Sequence, residues 1–299
     1  MFIEKEKSGL FLIVSICMLV QCSKVIDMPL PYYKEEQVMN AFLRQDSILN
    51  LSISLSSSIN SNGFEKINRA EVVLYRDSLY FDTLYNYADG IYKSFRTLTD
   101  NSVYEILAKF DDVVLTASDG MPTKPIVLSI VREDKSGVNV DGYYSTLEVE
   151  ILDESVLNDY YEIEIIYLSI EKNMHHILYP HTESDEVILN ENLPEFAGGP
   201  FPFSDEIFNG ESIKIRFNYF TPKRIVNDIE EELDPNYRLI IKLRKTSRNY
   251  YLYRKSIINH FEGQEPDFWR GIGDPVKVHS NVEGGKGIFA AYNEIVDTL

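Results

Sequence analysis

Alternation between apolar and polar residues is what most narrows the folds open to this chain. In its second half, Leu147, Val149 and Ile151 alternate with Glu148 and Glu150, and Tyr161, Ile163, Ile165 and Tyr167 are interleaved with Glu162 and Glu164. Ile213, Ile215, Phe217 and Tyr219 alternate with Lys214, Arg216 and Asn218, and Tyr237, Leu239, Ile241 and Leu243 are spaced by Arg238, Lys242 and Arg244. Successive side chains on a strand point to opposite faces, so a period of two gives each stretch one apolar and one charged face. That pattern suits an antiparallel sheet wetted on one side. The first half reads the same way: Leu51, Ile53 and Leu55 alternate with serines, Ala70–Tyr75 is a short buried strand, and Val103–Lys109 and Val113–Ala117 flank a turn at Asp111-Asp112. Tyr87-Ala88-Asp89-Gly90 reads as a further turn. About seven short strands with turn signals at this spacing predict a sandwich. Ser247 is placed to cap a helix from Arg248 to Glu262, with Gly263 as its stop and Tyr253, Ile257 and Phe261 on one face. Two prolines in Met121–Pro125 mark a junction between an N-terminal sandwich, residues 38–125, and a second antiparallel β-domain, residues 126–299.

The N-terminus obeys different rules. An apolar run from Leu10 to Val20 follows a short start containing Lys5 and Lys7. Its eleven residues span about 16 Å as a helix, too little for a hydrocarbon core of about 30 Å. Residues 1–21 therefore read as a signal peptide. The run ends Leu19-Val20-Gln21-Cys22, similar to a bacterial lipobox, in which the cysteine is cut free and acylated; Gln21 stands where a small residue is usual. Cys22 is the expected lipidation site, and several acyl chains on it would anchor the protein to a bilayer. Residues 22–37, with Pro29 and Pro31, read as a tether reaching on the order of 50 Å when extended. The only cysteines are Cys17 and Cys22, so the body has no disulfide framework or thiolate metal site to draw on. Lys and Arg number 29 against 47 Asp and Glu, a net charge of −18, which argues against nucleic acid as a partner.

Few residues suggest chemistry. Gly284-Gly285-Lys286-Gly287 lacks the first glycine and the hydroxyl residue of a phosphate-binding Walker loop. It reads instead as a structural turn needing positive φ, between a strand at Val276–Val278 and a returning strand at Ile288–Tyr292. His175, His176 and His181 lie close in sequence, but adjacent strand residues face opposite ways, and a polar strand end is the expectation. The acidic stretches Glu183–Glu186 and Asp228–Asp234 lack the spacing of a calcium loop and read as solvated loops. No catalytic residue, metal site or cofactor is expected. The proline-stiffened segment Leu193–Gly210 carries Phe196, Phe201, Phe203 and Phe208. If exposed, these rings are candidate contacts; otherwise they plug the end of a core.

The stretches "YYLYRKS" (Tyr250–Ser256) and "DPVKVHSNVEGGKGIFAAYN" (Asp274–Asn293) resemble a family of Bacteroidota outer-membrane lipoproteins, domain of unknown function 4249. Ser280, Asn281, Gly284, Gly285, Gly287, Ile288, Phe289 and Tyr292 fit its glycine-rich ending, and "NRAEVVLY", "DGIY", "LTASDGMP" and "LNDYYEIEI" resemble earlier parts. The resemblance implies an immunoglobulin- or transthyretin-like N-terminal β-sandwich, a second β-domain and a membrane attachment through Cys22. It implies association with a TonB-dependent outer-membrane receptor and supplies no catalytic residues. Periplasmic and cell-surface locations both remain open. The expected function is that of a non-enzymatic accessory binding or scaffolding partner. The alternatives are a surface adhesin or structural subunit and, third, a glycan-active hydrolase.

Overall fold

The computed structural model describes residues 34–58, 63–139, 142–153, 158–169, 174–178, 185–193, 199–220, 223–226, 229–232, 236–264 and 276–299. The signal peptide, Cys22 and nearly all of the tether lie outside them. The protein is mainly β, and residues Glu35–Leu299 form one compact unit. No helix among the described residues is long and apolar enough to cross a membrane.

The first strands are β1 (Gln37–Arg44), β2 (Ile48–Leu55), β3 (Glu71–Arg76), β4 (Leu79–Ala88), β5 (Ile91–Thr97), β6 (Val103–Phe110) and β7 (Val113–Gly120). Tight turns join several of them because Asp77, Ser78, Asp89, Gly90 and Asp111 all take positive φ. Tyr87 belongs to β4 rather than to the turn. β8 (Ile126–Asn139), β9 (Gly142–Leu152) and β13 (Ser212–Tyr219) form a three-stranded antiparallel sheet. β10 (Tyr160–Ser169) pairs along one side with β16 (Arg238–Thr246). Along its other side it pairs in succession with β12 (Phe201–Ser204) and β11 (Met174–Leu178). β14 (Lys223–Val226) and β15 (Ile229–Glu232) pair with each other, so part of the acidic 228–234 stretch is a strand, not a loop. Among the described residues the helices are α1 (Glu186–Asn190) and α2 (Arg248–Gln264).

β17 (Lys286–Thr298) corrects two expectations. It does not return against Val276–Val278, which is not a strand. It runs parallel to β1 and antiparallel to β16. This links both halves of the chain in one twelve-stranded sheet, ordered β11-β10-β16-β17-β1-β2-β5-β4-β3-β6-β7 with β12 beside β10. Two apolar cores do form on either side of residues 121–125, but the division by sequence is not clean. Val282, Phe289 and Ala291 complete the first core, while Ile295 and Leu299 pack against the second. Ile288 and Ala290, on the opposite face of β17, lie under Tyr250 of α2. A strand covered on both faces needs a continuous apolar run, and "IFAAY" supplies it.

α2 also covers a face that alternation assigned to solvent. Glu162 and Glu164 of β10 are both buried, Glu162 against this helix, and are joined to Arg244 Nη1 and Nη2 at 2.5 Å each. Arg254 Nε, at 2.7 Å, and Tyr250 Oη, at 2.8 Å, complete the shell of Glu162, and Arg244 Nε reaches Glu294 at 3.2 Å. Burial alone would lower the Arg244 pKa, but the surrounding carboxylates outweigh it and the pKa is raised. The helix runs through Gly263 to Gln264, and its buried residues are Tyr250, Tyr251 and Ile258; Phe261, assigned to the packed face, is exposed.

Candidate functional site

Phe201, Phe203 and Phe208 of the 193–210 segment do not form a contact surface. Phe201 and Phe203 lie on β12, opposite Ile163 and Tyr161 of β10. Phe203 stacks on Tyr161 with ring centroids 5.5 Å apart, and Phe208 lies 6.1 Å from the same ring. All three are buried in the second core, Phe201 and Phe203 because adding a strand to β10 turns their rings inward, and Phe208 from the turn that follows β12. Phe196 lies outside the described residues. On β11, His175 is exposed while His176 packs near Tyr167, so adjacent imidazoles diverge; His181 lies outside the described residues. Asp185 caps α1 by accepting from Val187 N at 3.1 Å.

The glycine-rich turn is a close-packing device. Gly284 and Gly287 have φ of +79° and +119°, and a Cβ at Gly284, Gly285 or Gly287 would fall under 3.0 Å from the carbonyl oxygen of Val114, Gln37 or Met39, respectively. The turn is thereby wedged between β7 and β1. Asn281 fastens it, donating to Phe289 O at 2.8 Å and accepting from Phe289 N at 2.9 Å.

Beside this turn is a recess of about 410 Å³, lined by Glu105, Thr116, Asn249, Asn281 and Glu283 among others. Behind it lies Asp119, which ties β7 to β17 and to α2. Its carboxylate accepts from Ala291 N at 2.7 Å and Asn249 Nδ2 at 3.0 Å, and Asn249 Oδ1 lies 3.1 Å from His279 Nε2. Burial pushes the Asp119 carboxyl up to about 6, against the pull of hydrogen bonds from Ser247, Ala291 and Asn249; burial also lowers the His279 pKa. A carboxylate with a raised folded pKa binds its proton more tightly in the folded state. Its contribution is therefore present below the unfolded pKa of 3.8 and is lost as pH rises through about 6. We expect the wild type to lose about 2.5 kcal/mol relative to Asp119→Asn between pH 4 and 7. Urea melts of both proteins across that range measure the difference, and a flat difference would refute the assignment.

A second recess, about 350 Å³, is bordered by Lys124, Asp159, Tyr161 and Lys245. Asp153, Asp159 and Asp205 bring one oxygen each within 4.8 Å of one another here. The cluster is tied internally: Lys245 Nζ lies 2.5 Å from Asp159, Asp153 accepts from Tyr161 Oη at 2.9 Å and Gly210 N at 2.7 Å, and Asp205 accepts from Asp159 N at 2.9 Å. Burial, reinforced by the neighbouring carboxylates, raises the pKa values of Asp159 and Asp205. These contacts bind two loops to the start of β10.

A third feature escaped the sequence reading: Tyr80, Tyr85, Tyr87 and Phe95, on β4 and β5, are exposed. Tyr80, Tyr85 and Tyr87 lie in "YFDTLYNYA", which carries no mark of exposure.

The architecture is thus a mainly β body of two apolar cores that share a C-terminal strand, with polar recesses at the seams. The chain belongs to the family described as a domain of unknown function (DUF4249), whose pattern matches residues 24–296. No curated protein matches it. Among solved structures, one similar chain is a DUF4785 family protein from Legionella pneumophila, with 9% identity and a TM-score of 0.24. The match covers 69% of this chain and 50% of that one.

Proposed function

We propose that this chain is a non-enzymatic lipoprotein of the Bacteroidota outer membrane, held by acyl chains on Cys22. It serves a TonB-dependent transport system as an accessory binding or scaffolding partner. The observation that carries the reading is where the tether ends. β1 begins at Gln37, a short stretch after Cys22, and lies between β2 and β17 rather than at an edge. Load on a lipid tether would act along a strand hydrogen-bonded on both sides, whose Met39, Ala41 and Leu43 lie in the first core and whose neighbour β17 reaches the second. A scaffold holding a neighbour beside a bilayer needs such a joint. The lipobox-like Leu19–Cys22 supplies the anchor, and an acidic surface suits a soluble body held close to the membrane.

In cells given labelled palmitate, the wild type is expected to take up label and sediment with membranes. Cys22→Ala takes up none and stays soluble. Mild detergent extraction of the wild type co-purifies a TonB-dependent receptor. Label persisting on the alanine variant, or recovery of the wild type alone, contradicts the proposal.

A second reading, a surface adhesin or structural subunit, is favoured by β8. This strand has no partner along its outer edge among the described residues and exposes Leu128 and Val131. Fibres or cell–cell adhesion that disappear when the protein is deleted would select it.

A further inference from the structure

The outer face of β2, β5 and β4 carries a stripe of rings. Tyr85 pairs across from Lys93, which pairs across from Asn50, and Ser54 bridges to Lys66. Their neighbours Leu51, Ile53 and Tyr92 point into the first core, so Lys66 and Lys93 point outward together. Tyr85 and Phe95 lie 4.6 Å apart, Lys93 Nζ sits 3.5 Å over the Tyr87 ring, and Lys66 Nζ sits 3.7 Å over Phe64. Tyr80 Oη meets Thr83 Oγ1 at 3.2 Å, continuing the row along β4. Exposure of the five rings ranges from 39% to 71%. A contiguous apolar patch of this kind, rimmed by polar groups, marks an interaction surface.

Charge and shape narrow the partner. Asp and Glu outnumber Lys and Arg by 47 to 29, yet Lys66 and Lys93 make no ion pair among the described residues and rest on aromatic rings instead. The carboxylate within β4, Asp82, is buried and accepts from Phe95 N and Arg96 N, leaving it unavailable to either lysine. The face therefore complements an anion, and a second copy of this acidic chain is disfavoured. Strand addition is blocked, because β4 pairs with β3 and β5, and β5 pairs with β2 and β4. Neither of the two recesses described above is lined by these rings. A flat row of rings interleaved with hydroxyl and amide groups suits a partner that is itself a row of flat C–H faces and hydroxyls. We infer that this face binds an acidic polysaccharide: sugar rings stack on Tyr85, Tyr87 and Phe95, and the polymer's carboxylates meet Lys66 and Lys93.

The inference concerns side chains of β4, β5 and residues 64–66, and its test, binding of a soluble polysaccharide by the purified protein, is independent of the co-purification above. Isothermal titration of the intact protein in detergent with polygalacturonate, and with neutral dextran as comparison, reads the binding. Wild type is expected to prefer polygalacturonate by at least about tenfold. The pair Lys66→Gln/Lys93→Gln and the pair Tyr85→Ala/Phe95→Ala should each lose about tenfold while melting normally, since all four side chains lie on the surface. Raising the salt should weaken wild-type binding and leave the lysine pair's residual binding little changed. Absent polygalacturonate binding, equal affinity for dextran, undiminished binding by both variant pairs, or capture by anionic lipid vesicles in place of the polysaccharide would overturn the inference.

Discussion

Replacing Arg244 by methionine lowers the stability of the folded protein by about 3–5 kcal/mol. The guanidinium is almost entirely enclosed and contacts three carboxylates, Glu162, Glu164 and Glu294. Glu162 has no exposed surface, and when Arg244 is removed it retains Arg254 and the Tyr250 hydroxyl but loses its closest cation. Burial tends to raise the Glu164 pKa, yet Arg244 and Lys242 together hold it below the usual carboxylate range, which shows how far this charge depends on its partners. A stranded buried carboxylate must either stay charged at high cost or take up a proton. Denaturant melts at pH 7 measure the loss. Melting at lower pH should recover part of it in the variant, because protonating the stranded carboxyls removes the buried charge. The double variant Arg244→Met/Glu162→Gln should likewise melt above the single variant. A single variant within 1 kcal/mol of the wild type would show that the cluster is solvated rather than enclosed.

Gly287→Ala carries the second large effect, roughly 3–5 kcal/mol. Two separate penalties add there. The residue holds φ of +119°, where an L side chain is strained, and its new methyl would overlap the Met39 carbonyl and the Asn40 side chain. The neighbours cannot retreat easily, because Met39 belongs to β1, pinned between β2 and β17. Gly120→Ala serves as the control. It has ordinary φ and open space around the added Cβ, so its stability should stay within about 0.5 kcal/mol of the wild type. Equal melting of the two variants would mean that the turn is not wedged against β1.

Much of the fold was legible because alternation reports strand faces directly. β9, β10, β13 and β16 each stand where period-two patterns placed them, and α2 begins at the residue after Ser247, whose Oγ accepts from Tyr250 N at 3.1 Å. What alternation does not report is which neighbour covers a face. Glu162 read as wetted because nothing local signals a helix returning from residues 248–264 to lie against it. Tyr87 reads as part of a turn and nothing local marks Tyr85 or Phe95, because exposure of these rings depends on the absence of such a cover. "FPF" read as a loop because proline and glycine surround it; only the open side of β10 made it a strand and drew Phe201 and Phe203 inward.

Residue order alone determined that this is a β protein, where most strands run, where the long helix α2 starts, and that three glycines must occupy a tight corner. These follow from backbone geometry and side-chain alternation, which act between near neighbours. The tertiary structure alone decided that β17 crosses back to β1, that both cores share one strand, and which charged and aromatic faces are covered or left open. Those outcomes depend on contacts between residues far apart in the chain, whose pairing no local pattern encodes.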